Sequence, residues 1–182
     1  MNGNYNFNMF NEYTPDIICQ SLKEIVRENL PVFVCIGSDL IVGDSLGPII
    51  GSLLKQKGCR AYVYGTLNSP VTAKEIFYIK EYLTKIHKKA KIIAIDAALG
   101  QEEEIGNIKI YEKGIKPGLG VDKNLDEIGD ISLIGIVSNK TKNNYNLYNA
   151  TRLNFIYNMA TVIANGIEKY LKGIKKEEYF IS

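Results

Sequence analysis

Two short apolar runs that do not alternate constrain this chain more than any other feature. Val32-Phe33-Val34-Cys35 and Ile92-Ile93-Ala94-Ile95 contain no polar residue. A strand with one face in water alternates polar and apolar side chains, so unbroken runs of this length mark strands covered on both faces. They predict a first strand over about residues 31–37 and a third over 91–95. Between them the spacing turns helical: Leu46, Ile49, Ile50, Leu53 and Leu54 recur until Gly58, which is placed as a C-cap. Residues 60–64 read as a second strand, and 72–88 as a helix carried by Ile76, Ile79, Leu83 and Ile86. Further on, residues 106–112 alternate with period two, as a half-exposed fourth strand does. A fifth strand spans 131–137, and a long helix over about 145–171 turns Leu153, Ile156, Tyr157, Ala160, Ile163, Ala164 and Ile167 inward. At the other end, Thr14-Pro15-Asp16 predicts a helix entry with a capping hydroxyl, backed by Ile17, Ile18, Leu22, Ile25 and Val26. Strands separated by helices of this length need crossover connections, which gives an α/β fold with a largely parallel sheet covered on both faces.

With 182 residues, 46% of them apolar, the chain fits one domain over 15–174. The Asn-rich residues 1–14 read as a flexible N-terminal arm on which Phe7 and Phe10 could dock, and 175–182 as a C-terminal tail. A net charge of +2, from 22 basic and 20 acidic residues, gives no electrostatic case for nucleic acid or an anionic membrane. Cys19, Cys35 and Cys59 show no CxxC spacing, and Cys35 inside an apolar strand reads as a small hydrophobe, which fits a reducing compartment. No basic leader precedes an apolar stretch, and no apolar run approaches the ~18 residues of a membrane span. The expectation is a soluble, cytoplasmic protein.

In this fold class ligands sit outside the carboxyl ends of the strands, where strand order reverses. The loop after the first strand, I-G-S-D-L-I-V-G-D-S-L-G-P over 36–48, therefore stands at the site. It carries glycines but no lysine where a phosphate-binding P-loop needs one, and Gly37, Gly43 and Gly47 do not match G-x-G-x-x-G. No His or Cys cluster has zinc-ligand spacing. Ser45 and Ser138 have no nearby histidine for a triad, and the lone His87 sits at a helix end. What remains is acidic: Asp44 in this loop and Asp96 directly after the third strand. If those strands are neighbours, both carboxyls open onto one crevice. Asp44 could instead serve only as a helix cap, and Asp39 reads as a solvated turn residue. Two close carboxyls can hold one proton between them, giving an acid beside a base, or can bind a divalent metal with waters. The residues alone leave both readings open.

The motifs G-S-D-L-I-V-G-D-S-L-G-P, I-A-I-D-A-A-L-G, G-I-K-P-G-L-G-V-D-K-N and L-I-G-I-V-S, in this order, resemble the YyaC-type sporulation proteins of spore-forming bacteria over roughly residues 30–172. More distantly, the motifs are similar to the spore germination protease and the hydrogenase-maturation endopeptidases. The resemblance implies a phosphorylase/hydrolase-like three-layer α/β/α sandwich whose five-stranded mixed sheet has the order 2-1-3-5-4, strand four antiparallel. It also implies an aspartic-type pair at Asp44 and Asp96. The histidine that joins the acids at the nickel site of the maturation enzymes has no counterpart in residues 114–124, so neither metal nor cofactor is expected.

The leading expectation is a sporulation protein acting as an endopeptidase or amidohydrolase on a protein or peptide. Asp44 and Asp96 would be the acid/base pair. Gly37, Ser38, Gly43 and Gly47 would shape the crevice by close backbone approach, with Thr66 and Asn68 on another wall. Lys116, or Asp122, would present a polar group from the glycine-rich loop, and a Lys116 ammonium near the acids would lower their pKa and hold both ionised. The alternative is a non-catalytic protein that binds a peptide or small ligand in the same crevice. A nucleoside phosphorylase-like enzyme fits less well, because Arg27, Arg60 and Arg152 are scattered. Partners are expected to be a protein or peptide substrate, without nucleic acid or membrane; self-association into a homo-oligomer is left open.

Overall fold

The computed structural model describes residues 4–27, 31–117, 127–139 and 151–174. The strands are β1 (Asn4–Asn8), β2 (Pro31–Cys35), β3 (Tyr62–Tyr64), β4 (Lys91–Gly100), β5 (Asn107–Tyr111) and β6 (Ile131–Asn139). The helices are α1 (Thr14–Val26), α2 (Leu46–Gln56), α3 (Ile76–Ile86) and α4 (Leu153–Lys172), with short 3-10 turns at Val42–Ser45 and Glu102–Glu104. One mixed sheet has the order β1-β5-β6-β4-β2-β3. β2 runs parallel to β3 and β4, and β4 parallel to β6, while β5 is antiparallel to both β6 and β1.

The expected five-stranded sheet is thus corrected in its count and full order by a sixth strand at the edge beyond β5, while the five expected strands keep the relative order 2-1-3-5-4. It comes from the segment expected to be a flexible arm. In N-Y-N-F-N the rings of Tyr5 and Phe7 pack against the apolar core while Asn6 faces water, the period of a strand. Met9 buries itself behind them. Thr14, expected as a capping hydroxyl, instead donates to the Asn8 carbonyl at 2.6 Å and ties the start of α1 to the strand. Asn11 Oδ1 accepts the Tyr13 N–H at 2.9 Å in the turn between. The tail expected over 175–182 lies outside the described residues.

Other elements follow their sequence signals with shifted ends. β5 alternates half-buried and buried residues, as its period-two pattern predicts. Gly58, with φ +65°, follows the end of α2 and lets the Cys59 N–H reach the Leu54 carbonyl at 3.1 Å. The last helix begins at Leu153 and not near residue 145; residues 145–150 lie outside the described ones. Its first turn differs from expectation, since Leu153 and Tyr157 are exposed and the inward face starts at Ile156.

The parity of β2 shows how the sheet is covered. Phe33 and Cys35 enter an apolar cluster with Ile18 and Leu22 of α1, Ile50 and Leu54 of α2, and Ile163 and Ile167 of α4. Val32, Val34 and Ile36 enter a second cluster with Ile76 and Leu83 of α3. Both faces of β2 are therefore dry, which is why its sequence shows no alternation. Each fully buried Ile, Leu or Phe contributes about 1.5–3 kcal/mol. Cys35 is wholly buried and its thiol is pushed up to about 12, so it packs as a small hydrophobe. No helix among the described residues is long and apolar enough to cross a membrane.

Because Met9 anchors β1, Met9→Ala is expected to cost about 2–3 kcal/mol in denaturant unfolding. Amide exchange in β5 should accelerate more than in β2; equal acceleration in both would contradict the anchoring role.

Candidate functional site

The site is built where β2 stops. Its pairing with β4 ends at Cys35 and Ile95, and the Ile36 N–H makes one further bond to the Ile95 carbonyl at 2.7 Å. Gly37 then turns the chain aside with φ +136°. A Cβ there would lie 2.0 Å from the Asp44 carbonyl oxygen, and one on Gly47 would lie 2.1 Å from that of Ile36. These are approaches of backbone on backbone that no side chain permits. Gly37 N–H donates to the Val71 carbonyl at 2.9 Å and Ser38 N–H to the Asp44 carbonyl at 3.1 Å, so the loop folds back onto the strand end. Gly43 and Ser45 are buried in the Val42–Ser45 turn, where the Ser45 hydroxyl donates to the Val42 carbonyl at 2.6 Å. α2 starts without a side-chain cap, so the cap alternative for this stretch is not taken up.

Asp96 differs from expectation in one respect: it lies within β4, opposite Ile134 of β6, and the strand continues to Gly100. In a parallel ladder alternate residues direct their peptide groups to alternate neighbours. Ile95 faces β2, so Ala97 faces the same way, beyond the point where β2 has ended. The Ala97 N–H donates instead to Asp96 Oδ1 at 2.8 Å. The carboxyl thus curls onto the edge of its own strand, beside the end of β2.

Electrostatics ties the acids together. Burial pushes the Asp44 carboxyl up to about 6, against a smaller opposing pull from the Ser38 N–H. Asp96 is held well above the usual carboxylate range, first by burial and second by the charge of Asp44, with the Ala97 N–H opposing. Asp44 therefore ionises first, and Asp96 would have to ionise against it. Of the two, Asp96 holds its proton the more tightly.

Beyond the Ser38 N–H, the remaining expected residues make no hydrogen bond to this pair among the described residues. Ser38 Oγ accepts the Leu40 N–H at 3.2 Å inside the loop. Thr66 is buried in a turn in which it and Ser69 exchange backbone hydrogen bonds, and Asn68 is exposed. Among the described residues neither Thr66 nor Asn68 hydrogen-bonds to the acids. Lys116 is exposed beside the Ile115–Ile128 bridge and is not a charge acting on Asp44 or Asp96. Its expected lowering of both acids is thereby corrected, since both are raised. Asp122 lies outside the described residues. No group of three or more His, Cys, Asp or Glu that could hold a metal occurs among the described residues. What the sequence did not reveal is the Ala97–Gly100 extension of β4; the apolar A-A-L after Asp96 was its only signal.

A family model described as "Protein of unknown function (DUF1256)" matches residues 3–166. The chain belongs to this family. A relative of the DUF1256 chain, "Uncharacterized protein YyaC" of Bacillus subtilis (strain 168), is 41% identical over 152 residues, which span 83% of this chain and 74% of that protein. The DUF1256 match runs from before β1 into α4 and so takes in both acids and the loop between Gly37 and Gly47. The YyaC-type resemblance of the motifs is upheld; the more distant likeness to peptidases rests on the motifs alone.

Two outcomes follow. Gly37→Ala should destabilise the fold by at least about 2 kcal/mol, because the clash is with backbone and the φ is unfavourable; since each kcal/mol lowers Tm by about 2–4 °C in a chain of this size, an unchanged thermal melt would refute the close approach. The raised acids make the folded state bind more protons than the unfolded one above pH 3.8, so stability falls as pH rises towards and through 6. Asp44→Asn should remove its share, stabilising the protein at pH 7 by on the order of 2 kcal/mol, with the gain vanishing near pH 4. Urea midpoints at the two pH values measure this.

Proposed function

We propose that this protein is a hydrolase of amide bonds in a protein or peptide, working through the Asp44–Asp96 pair in a phosphorylase/hydrolase-like three-layer α/β/α sandwich. The single observation that carries the reading is that two buried carboxyls acting on one another at the carboxyl ends of β2 and β4 differ in how tightly they hold a proton. Ionised Asp44 takes a proton from a water whose oxygen attacks the amide carbon. Asp96, whose Oδ1 is already occupied by the Ala97 N–H, offers a proton from its other oxygen to the carbonyl oxygen. When the C–N bond breaks, the leaving nitrogen takes the proton held on Asp44, and Asp96 regains its own. The place of this reaction in sporulation is supported by the motif resemblance to YyaC-type proteins.

A non-catalytic binding role is the second reading, favoured by one observation: Asp96 satisfies an edge N–H of its own strand, which is a structural task. The two are separated by incubating pure protein with extract of sporulating cells beside Asp44→Asn and Asp96→Asn variants, and following new polypeptide termini by mass spectrometry. Hydrolysis predicts termini that depend on both acids, with a loss of about 10²–10⁴-fold in each variant. Its rate should rise with pH through about 6, as Asp44 ionises, and fall again when Asp96 does. Fragments absent from every sample would leave the binding role.

A further inference from the structure

Resting on the hydrolase reading, the next question is what kind of substrate the crevice takes. β4 pairs with β2 only through Ile95, yet pairs with β6 as far as Gly100 opposite Asn139. Among the described residues, 97–100 therefore pair with one neighbour, β6. By the alternation that sends Ile95 towards β2, and with a register shift against β6 between Ala98 and Leu99, the Ala97 carbonyl and the N–H and carbonyl of Leu99 point to the side away from β6. The first group on that edge, the Ala97 N–H, is taken by Asp96; among the described residues no backbone partner is recorded for the others. Leu99 and Gly100 also line, with Gln101, Glu102, Glu104 and Asn139, a cleft of about 500 Å³ beyond the end of the strand, apart from the acid pair. A row of main-chain donors and acceptors at strand spacing matches one ligand chemistry best: another main chain in extended form.

We infer that the Ala97–Gly100 edge of β4 is the substrate-docking strand, and that the substrate is an unfolded, extended polypeptide segment added to the sheet where β2 leaves off. The added strand passes the carboxyl of Asp96, so an amide of the bound segment is presented to the acid pair. Recognition through main-chain bonds is tolerant of sequence and intolerant of folded chains. It makes unfolding of the target a condition of cleavage. Asp96 has two tasks in this arrangement, holding the edge N–H with one oxygen and facing the incoming amide with the other.

The test uses the full chain carrying Asp44→Asn, which prevents turnover, and a fluorescent pool of randomised decapeptides. A second pool with every backbone amide N-methylated cannot form the ladder. The unmodified pool should bind at least tenfold more tightly, and hydrogen exchange of the Leu99 amide should slow at least tenfold when it binds. A Leu99→Pro change, which removes one edge N–H but no β6 bond, should weaken binding about tenfold, with its melt checked against the parent. Equal binding of both pools, binding of neither, or protection confined to residues outside 97–100 would overturn the inference. So would protection of Leu99 without peptide in a dimer seen by sedimentation, which would assign the edge to a second copy. Binding at this edge with no cleavage by the unmutated protein defeats the hydrolase reading alone, whereas cleavage that ignores N-methylation flanking the cut site defeats this inference alone.

Discussion

The unequal length of β2 and β4 is the constraint on which the rest of the site depends. β2 stops being a strand at Cys35 while its neighbour continues for five more residues. A strand that loses its partner in mid-course leaves buried or half-buried peptide groups to be satisfied. Here the first is met by the side chain of Asp96, and the loop that carries Asp44 enters against the end of β2, folding back onto it. Gly37 and Gly47 make that entry sterically feasible, because the loop and the head of α2 must touch the backbone of the strand end. Remove either glycine's freedom of approach and the two acids no longer share a space.

The same geometry explains why the acids are unlike. Both are desolvated, but Asp96 faces the charge of Asp44 in addition. Two identical side chains acquire different proton affinities from position alone: the one on the strand holds its proton more tightly than the one on the loop. Lys116, which would have erased the difference by holding both ionised, is exposed and not among the charges acting on them.

Much of this was legible from the residues. Unbroken apolar runs at 32–35 and 92–95 identified the central parallel strands, and the rule that ligands sit at strand carboxyl ends selected Asp44 and Asp96. Two failures have physical causes. Asn masks the period of β1, since it is a weak strand former and five residues give only two apolar positions, Tyr5 and Phe7. Asp96 reads as the end of a strand for the same reason, and Ala97-Ala98-Leu99-Gly100 has little β propensity of its own; the β4–β6 ladder holds it extended. Thr66 and Asn68 were nominated by their place after a strand, but turn chemistry accounts for Thr66.

The pairing of β1 with β5 joins Asn4 to Tyr111 across most of the chain. Synthesis proceeds from the amino end at roughly 5–20 residues per second, so about a hundred residues separate the birth of one strand from that of its partner, an interval on the order of 5–20 s at that rate. The outer border of the sheet is thus closed by a segment made well before the strand it pairs with. Until then an aromatic, Asn-rich pentapeptide waits without a mate.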